Sequence, residues 1–222
     1  MAVTEKPLGP LPPHTQMRDF LPPDVHRSLL AWVLDNEARF KPAKVTISSH
    51  DTAVRVNPEV RIAMTMRDLG PLREPLSALL VDALPSLMTA TGTVGPEPRS
   101  LELELAAHGD GAHYRAHVDI PFGPNRAPLG ATEEEDRVLS AVCYFHGEPK
   151  RFSGGALRLY RFGAEPTNPQ LSPDDYVDLE PLQNSLVAFP SWATHEVRRV
   201  ECPSGAFGDY RYALNCWYCR RL

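Results

Sequence analysis

His117 and Asp119 stand two residues apart in the uninterrupted, strand-like run HYRAHVDI. Neighbouring side chains on a strand point to opposite faces, so residues two apart share one. An imidazole beside a carboxylate is half of a two-histidine, one-carboxylate site, the donor set that holds non-haem iron with positions left open. The pattern H-x-[DE] is weak alone, because eight His and 28 acidic residues in 222 give about one chance match. Three occur. His108/Asp110 lies in HGDG and His146/Glu148 in HGEP, both turn sequences where the same-face rule does not apply. Two other readings compete for the first pair: a hydrogen-bonded couple on a sheet surface, and a zinc pair formed by His113 and His117 four apart on a helix. Gly109, Gly111 and the alternation through Ile120 disfavour that helix.

A metal site also needs a second histidine from a distant strand. His195, in LVAFPSWATHEVRRV, sits between a turn and a second strand; taken alone it reads as an ordinary strand histidine. The C-terminal run RYALNCWY splits by period two into Arg211, Ala213, Asn215 and Trp217 on one face and Tyr212, Leu214, Cys216 and Tyr218 on the other. If the first face is interior, Arg211 is a buried cation that requires a carboxylate. A dicarboxylic cosubstrate would supply one through the paired donors of the guanidinium; the competing reading is a surface arginine paired with nearby acids. Cys216 and Cys219 spell C-x-x-C, but residues three apart on a strand point to opposite faces, so these thiols read as structural.

The elements that must position these groups follow from composition and periodicity. At 222 residues, 42% hydrophobic and 23% charged, the chain has a globular composition and room for one sizeable domain, at about 150 residues per domain. No run approaches the ~18 apolar residues of a membrane span. The opening MAVTEKPLGPLPP lacks the apolar core of a signal peptide, which predicts a cytoplasmic address, and a net charge of −5 argues against nucleic-acid binding. Four cysteines do not make a disulfide scaffold. Residues 1–13 read as a flexible Pro-rich lead-in and 14–222 as a single domain. Within it, 14–99 carry helical support and lid strands and 100–222 a jelly-roll core. A short strand is expected over 14–21, a helix over 23–39 opened by Pro23 and Asp24, and short strands near 45–48 and 61–66. A second helix, from Leu72 to Met88, is expected to kink or break at Pro85 and end at Gly92. The period then changes, and eight strands are expected: 100–107, 114–120, 138–146, 156–162, 178–182, 185–190, 195–200 and 211–218. Together these predict a mainly β, α+β protein, a double-stranded β-helix or jelly roll buttressed by two or more helices.

The ordered elements HYRAHVD, RVLSAVCYF, FSGGALRLY, LVAFPSWATHEV and RYALNCWY resemble the prolyl 4-hydroxylase-like branch of the Fe(II)/2-oxoglutarate-dependent oxygenases, over about residues 100–220. The resemblance implies that His117, Asp119 and His195 are the iron ligands and catalytic centre. It implies that Arg211 binds the distal carboxylate of 2-oxoglutarate, with Tyr144 hydrogen-bonding the same carboxylate, Leu157 forming an apolar wall and Tyr114 a further cosubstrate contact. Trp217 is similar to a residue near iron and substrate. Arg61, in a strand-like run after the first helix, is a candidate for a substrate carboxylate, against the competing reading of a surface arginine. The sixteen-residue step from His195 to Arg211 is longer than the family's usual spacing, which keeps Arg198 and Arg199 as rival anchors. Where some relatives have a tyrosine this chain has Ala107, with His108 as a substitute. The implied activity is a dioxygenase that hydroxylates an unactivated carbon of a prolyl, amino-acid or peptide-like substrate, using O2 and 2-oxoglutarate and releasing succinate and CO2, with ascorbate as a stimulant. Related halogenases replace the carboxylate ligand with a small residue, so Asp119 favours hydroxylation, with desaturation or cyclisation as alternatives. Residues 121–136 read as a loop that closes over substrate. Two other classes compete: a cupin-like metal enzyme, which would need an H-x-H pair that the chain lacks, and a non-catalytic jelly-roll binding module, in which the triad and Arg211 would have no purpose.

Overall fold

The computed structural model describes residues 8–48, 51–120 and 135–221. Its helices are α1 (Pro23–Asp35) and α2 (Arg73–Ala90). Before α2 come β1 (Thr15–Met17), β2 (Lys41–Pro42), β3 (Val45–Ser48), β4 (Asp51–Arg55), β5 (Arg61–Ile62) and β6 (Met64–Met66). After it come β7 (Ser100–His108), β8 (His113–His117), β9 (Glu135–Phe145), β10 (Ser153–Gly154) and β11 (Leu157–Tyr160). The chain continues with β12 (Tyr176–Leu179), β13 (Ser185–Pro190), β14 (His195–Val197), β15 (Val200–Glu201) and β16 (Arg211–Arg221).

Helix α1 starts at Pro23, whose fixed φ and missing N–H suit the first helical turn. It ends four residues before the expected limit. Asn36 leaves helical geometry and its side-chain amide donates to the Trp32 carbonyl (2.8 Å), after which Glu37–Arg39 tightens into a 3-10 turn. Helix α2 runs through Pro85 without a break. The proline removes one backbone hydrogen bond, but Leu84 and Leu87 on either side are buried in the core and hold the segment in place. Gly92 (φ 61°) lies just past its end, as expected.

Every pairing among the described strands is antiparallel. β1-β13-β9-β16-β7-β6-β2 form a seven-stranded sheet and β12-β11-β14-β8-β5 a five-stranded one, with β10-β15 and β3-β4 as separate pairs. The two larger sheets face each other as a jelly roll. Both helices pack on the outer face of the seven-stranded sheet, where Leu29, Val33, Leu76 and Leu80 meet Leu105, Cys143, Leu214 and Tyr218. A smaller core of Leu157, Leu159, Val187, Phe189 and Ala213 fills the space between the sheets. Strand β16 lies between β9 and β7 and follows the period-two division: Tyr212, Leu214, Cys216 and Tyr218 join the helix-side core, while Arg211, Asn215 and Trp217 line a cavity between the sheets.

Several strand boundaries differ from expectation. The strand expected through Ile120 stops at His117. The strand expected over 195–200 is two, because the backbone leaves the β8–β14 ladder after Val197 and Val200–Glu201 pairs instead with Ser153–Gly154. The closing loop expected over 121–136 falls on residues 121–134, which lie outside the described ones, and on the first two residues of β9. Residues 1–7 of the lead-in also lie outside them. All four cysteines are buried thiols outside any disulfide. Cys216 packs on the helix side, whereas the Cys219 thiol reaches Glu102 Oε1 (3.5 Å) beneath Trp217.

Candidate metal centre and cosubstrate pocket

Strands β8 and β14 set His117 directly opposite His195, with ring centroids 4.2 Å apart. Asp119 arrives differently from the pleat argument. The chain bends after His117, and the Asp119 N–H donates to the Ser191 carbonyl (3.0 Å), at the turn that leads into β14. The carboxylate then lies with Oδ1 3.7 Å from His117 Nε2 and Oδ2 3.7 Å from His195 Nε2. One ligand atom from each of the three residues falls within 4.8 Å of the others, and among the described residues this is the one group of three or more such donors.

Local hydrogen bonds prepare these atoms for a cation. The Nδ1–H of His117 donates to the Arg115 carbonyl and that of His195 to the Ala193 carbonyl, each at 2.8 Å. Both Nε2 lone pairs are thereby left free toward Asp119, the usual way an outer partner fixes a ligand's tautomer. Ser140 Oγ donates to Asp119 Oδ2 (2.6 Å) and is itself bonded to Ser191 Oγ (2.9 Å). Burial pushes the Asp119 carboxyl up, but His195, His117, Ser140 and Trp217 together hold it below its ordinary range. Burial and the neighbouring His195 hold His117 below its ordinary value, which outweighs the pull of Asp119. At neutral pH His117 is therefore uncharged beside a carboxylate, the state a divalent metal requires.

These three residues open into a cavity of about 330 Å³ between the sheets. Every other residue expected in the site lines it: Arg211, Tyr144, Leu157, Tyr114, Trp217 and Arg61, with His108 among them. Arg211 is 1% exposed. Its guanidinium lies 4.7 Å from the Tyr144 ring centroid and its Nη1 is 3.1 Å from His108 Nδ1. Among the described residues no carboxylate answers it, and both its Nε and the Tyr144 hydroxyl are buried without a hydrogen-bond partner there. Two orphaned polar atoms beside a buried cation fit a carboxylate ligand. Gly155 makes room for this arginine: at φ 72°, an added Cβ would lie 2.7 Å from Arg211 Cδ.

The rival residues lie elsewhere. Arg198 pairs with Glu196, and together with Arg199, His113 and Arg115 it lines a separate depression. His113 and His117 share a strand, so the helical zinc pair does not form. His108 ends β7 and is not in a turn; Asp110, past it, accepts from the Cys202 N–H (2.9 Å). His146 Nδ1 bonds the Gly147 carbonyl away from the cavity.

Sequence reasoning missed several lining residues. Ser140 and Glu104 were legible, since each shares by period two the face of an assigned neighbour, Tyr144 or His108. Lys44, Arg67 and Arg137 had no comparable signal. Arg137 stacks over the Trp217 ring at 4.0 Å and pairs bidentately with Glu102.

A sequence model of the 2OG-Fe(II) oxygenase superfamily matches residues 103–219, the span that carries the triad and Arg211. The chain belongs to this superfamily. An uncharacterized PKHD-type hydroxylase from Synechocystis is 27% identical over 207 residues, 93% of this chain; the chain spans 63% of that relative's length. The crystal structure of a Pseudomonas putida prolyl-4-hydroxylase superposes with a TM-score of 0.63 at 24% identity, covering 95% of this chain and 94% of that one. A Trichoplax adhaerens prolyl hydroxylase, solved with a fragment of the hypoxia inducible factor oxygen degradation domain, gives 0.63 at 17% identity over 93% and 83%. These superpositions show the jelly-roll fold. The family name carries two cofactors, Fe(II) and 2-oxoglutarate, and the oxygenase pocket has matching features for both: a triad of two imidazoles and a carboxylate, and a buried guanidinium that no carboxylate pairs with among the described residues.

Proposed function

We propose that this chain is an Fe(II)/2-oxoglutarate-dependent dioxygenase that hydroxylates an unactivated carbon of a prolyl, amino-acid or peptide-like substrate and releases succinate and CO2. The observation that carries the reading is Arg211. A buried cation whose Nε and neighbouring Tyr144 hydroxyl lack partners, in the same cavity as the triad, calls for a dicarboxylate more than for any other small ligand. The PKHD-type relative and the peptide-bound Trichoplax enzyme support a hydroxylase acting on a prolyl or peptide substrate. Residues 14–222 act as one domain in this reading, supported by β1 and β6 joining the same sheet as β16.

His117, Asp119 and His195 would hold the metal, and Ser140 would hold Asp119 against rotation. Arg211 and Tyr144 would take the distal carboxylate, while Leu157 and Phe189 keep water from that end of the pocket. Bound Fe(II) and 2-oxoglutarate supply the oxidising chemistry; the protein supplies placement and exclusion of water. Asp119→Ala should abolish succinate release and lower the iron bound per chain. Full oxygenase activity in His195→Ala would refute the assignment.

A further inference from the structure

Three arginines of the two sheets face carboxylates, and one is left incomplete. Arg137 grips Glu102 with Nε and Nη2 (3.1 and 2.6 Å), and on the small sheet Arg158 grips Asp178 in the same fork (both 2.7 Å). Arg61 does not. It gives only Nη2 to Glu104 Oε1 (3.1 Å), the second Glu104 oxygen faces the exposed Arg67 (3.5 Å), and the Arg61 Nε is buried without a partner. Its side chain is 11% exposed and lines the same cavity as the metal triad. Strand β5 sets Arg61 opposite Tyr114, with the guanidinium 4.8 Å from the Tyr114 ring centroid; that ring in turn stacks on His117 at 3.6 Å. The orphaned donor therefore stands one ring away from a metal ligand, and on a different strand from Arg211.

Charge points the same way. With the triad and Arg211 occupied by metal and cosubstrate, Lys44, Arg61, Arg67 and Arg137 remain around the cavity, and among the described residues Glu104 and Glu102 are the carboxylates that answer them. Low-dielectric walls focus such an excess toward an incoming anion.

We propose that the substrate carries a carboxylate and that Arg61 is the residue that receives it, through the same kind of fork that Arg137 makes on Glu102 and Arg158 on Asp178. This rests on the cofactor reading above and names the substrate class for that site. A guanidinium fork prefers a carboxylate to its neutral isostere because the amide cannot accept on both arms.

The test uses matched acid and amide probes on the full chain, loaded anaerobically with Fe(II) and 2-oxoglutarate. Calorimetry would compare N-acetyl-proline with N-acetyl-prolinamide, and Gly-Pro-Glu-amide with Gly-Pro-Gln-amide, which separates a terminal from a side-chain carboxylate. In at least one pair the acid should bind about tenfold or more tightly than the amide, a preference that weakens with salt. Arg61→Gln should reduce the ratio to about threefold or less; Arg61→Lys should recover part of it, and Arg198→Gln on the outer surface should leave it intact. Should Arg61→Gln fail to fold, Arg67→Gln still tests the cationic mouth and should lower the ratio by a smaller factor. Equal binding within both pairs, a preference that survives Arg61→Gln, or no acid binding by about 10 mM would each overturn the proposal. Fe(II) and 2-oxoglutarate affinities on the same preparations report on the cofactor site: their absence in the natural protein sinks the earlier reading, and their presence without acid preference sinks only this one.

Discussion

Replacing Arg211 with Met distinguishes a cosubstrate anchor from a structural cation, because the two roles give opposite signs for stability. Among the described residues the guanidinium meets the Tyr144 ring and His108, both uncharged, and its Nε finds no hydrogen-bond partner. Burying an unpaired cation is destabilising, and methionine fills similar space beside Gly155. The free variant should therefore melt at the same temperature as the natural protein or higher. Binding should change the other way. Truncating one partner of a desolvated charge pair removes about 2–5 kcal/mol, and the lower figure is about thirtyfold in affinity at 1.4 kcal/mol per tenfold. At a free 2-oxoglutarate of about 100 times the natural Kd, mass action stabilises the natural protein by about 2.7 kcal/mol. The same concentration stabilises the variant by only about 0.9 kcal/mol. For a chain of this length the ligand-induced rise in Tm should shrink by about 4–7 °C. Thermal melts with Mn(II) in place of Fe(II), so that no turnover occurs, read both quantities at once. A free variant that melts lower yet keeps the full ligand-induced rise would refute the reasoning, since that is the behaviour of a structural arginine.

Ser140→Ala removes the 2.6 Å hydrogen bond to Asp119 and should weaken Mn(II) binding by about 10–100-fold with the fold intact. Gly155→Ala sets a Cβ 2.7 Å from Arg211 Cδ and 2.9 Å from Val200 Cγ2, so it should raise the 2-oxoglutarate requirement at least several-fold. Gly92→Ala, with nothing within 4 Å, should lower Tm and leave that requirement alone. Burial, Arg211 and Arg61 hold His108 well below its ordinary pKa, so the folded protein keeps it neutral while the unfolded chain takes up a proton below pH ~6.5. Its contribution to stability is therefore complete above that pH and falls as acid is added. His108→Gln should make the acid limb of a urea-denaturation series shallower, and an unchanged limb would mean that His108 titrates alike in both states.

Strand periodicity is a local property, and what depended on it was legible in the sequence. Two residues per repeat divide β16 into a helix-facing and a cavity-facing side whatever the strand packs against, so Arg211 and Trp217 could be assigned together before any partner was known. The change from helical to strand spacing near residue 100 likewise gave two helices followed by a jelly roll, because each period buries a different kind of face. The spacing of His117 and Asp119 singled out two residues that the structure does bring together with His195, but for a different reason. The strand ends at His117, and it is a backbone bond from Asp119 to Ser191, 72 positions along the chain, that turns the carboxylate toward both imidazoles. Nothing in HYRAHVDI encodes that partner. Pairings between segments far apart in sequence also decide that β1 extends one sheet and β5 the other, and that Arg61 enters the cavity with one donor unpaired. They decide that Arg211, and not Arg198 or Arg199, faces inward. Hydrogen-bond register between distant strands and the exclusion of water from the space between two sheets exist only once the sheets have closed, so the charge balance of this pocket belongs to the tertiary structure.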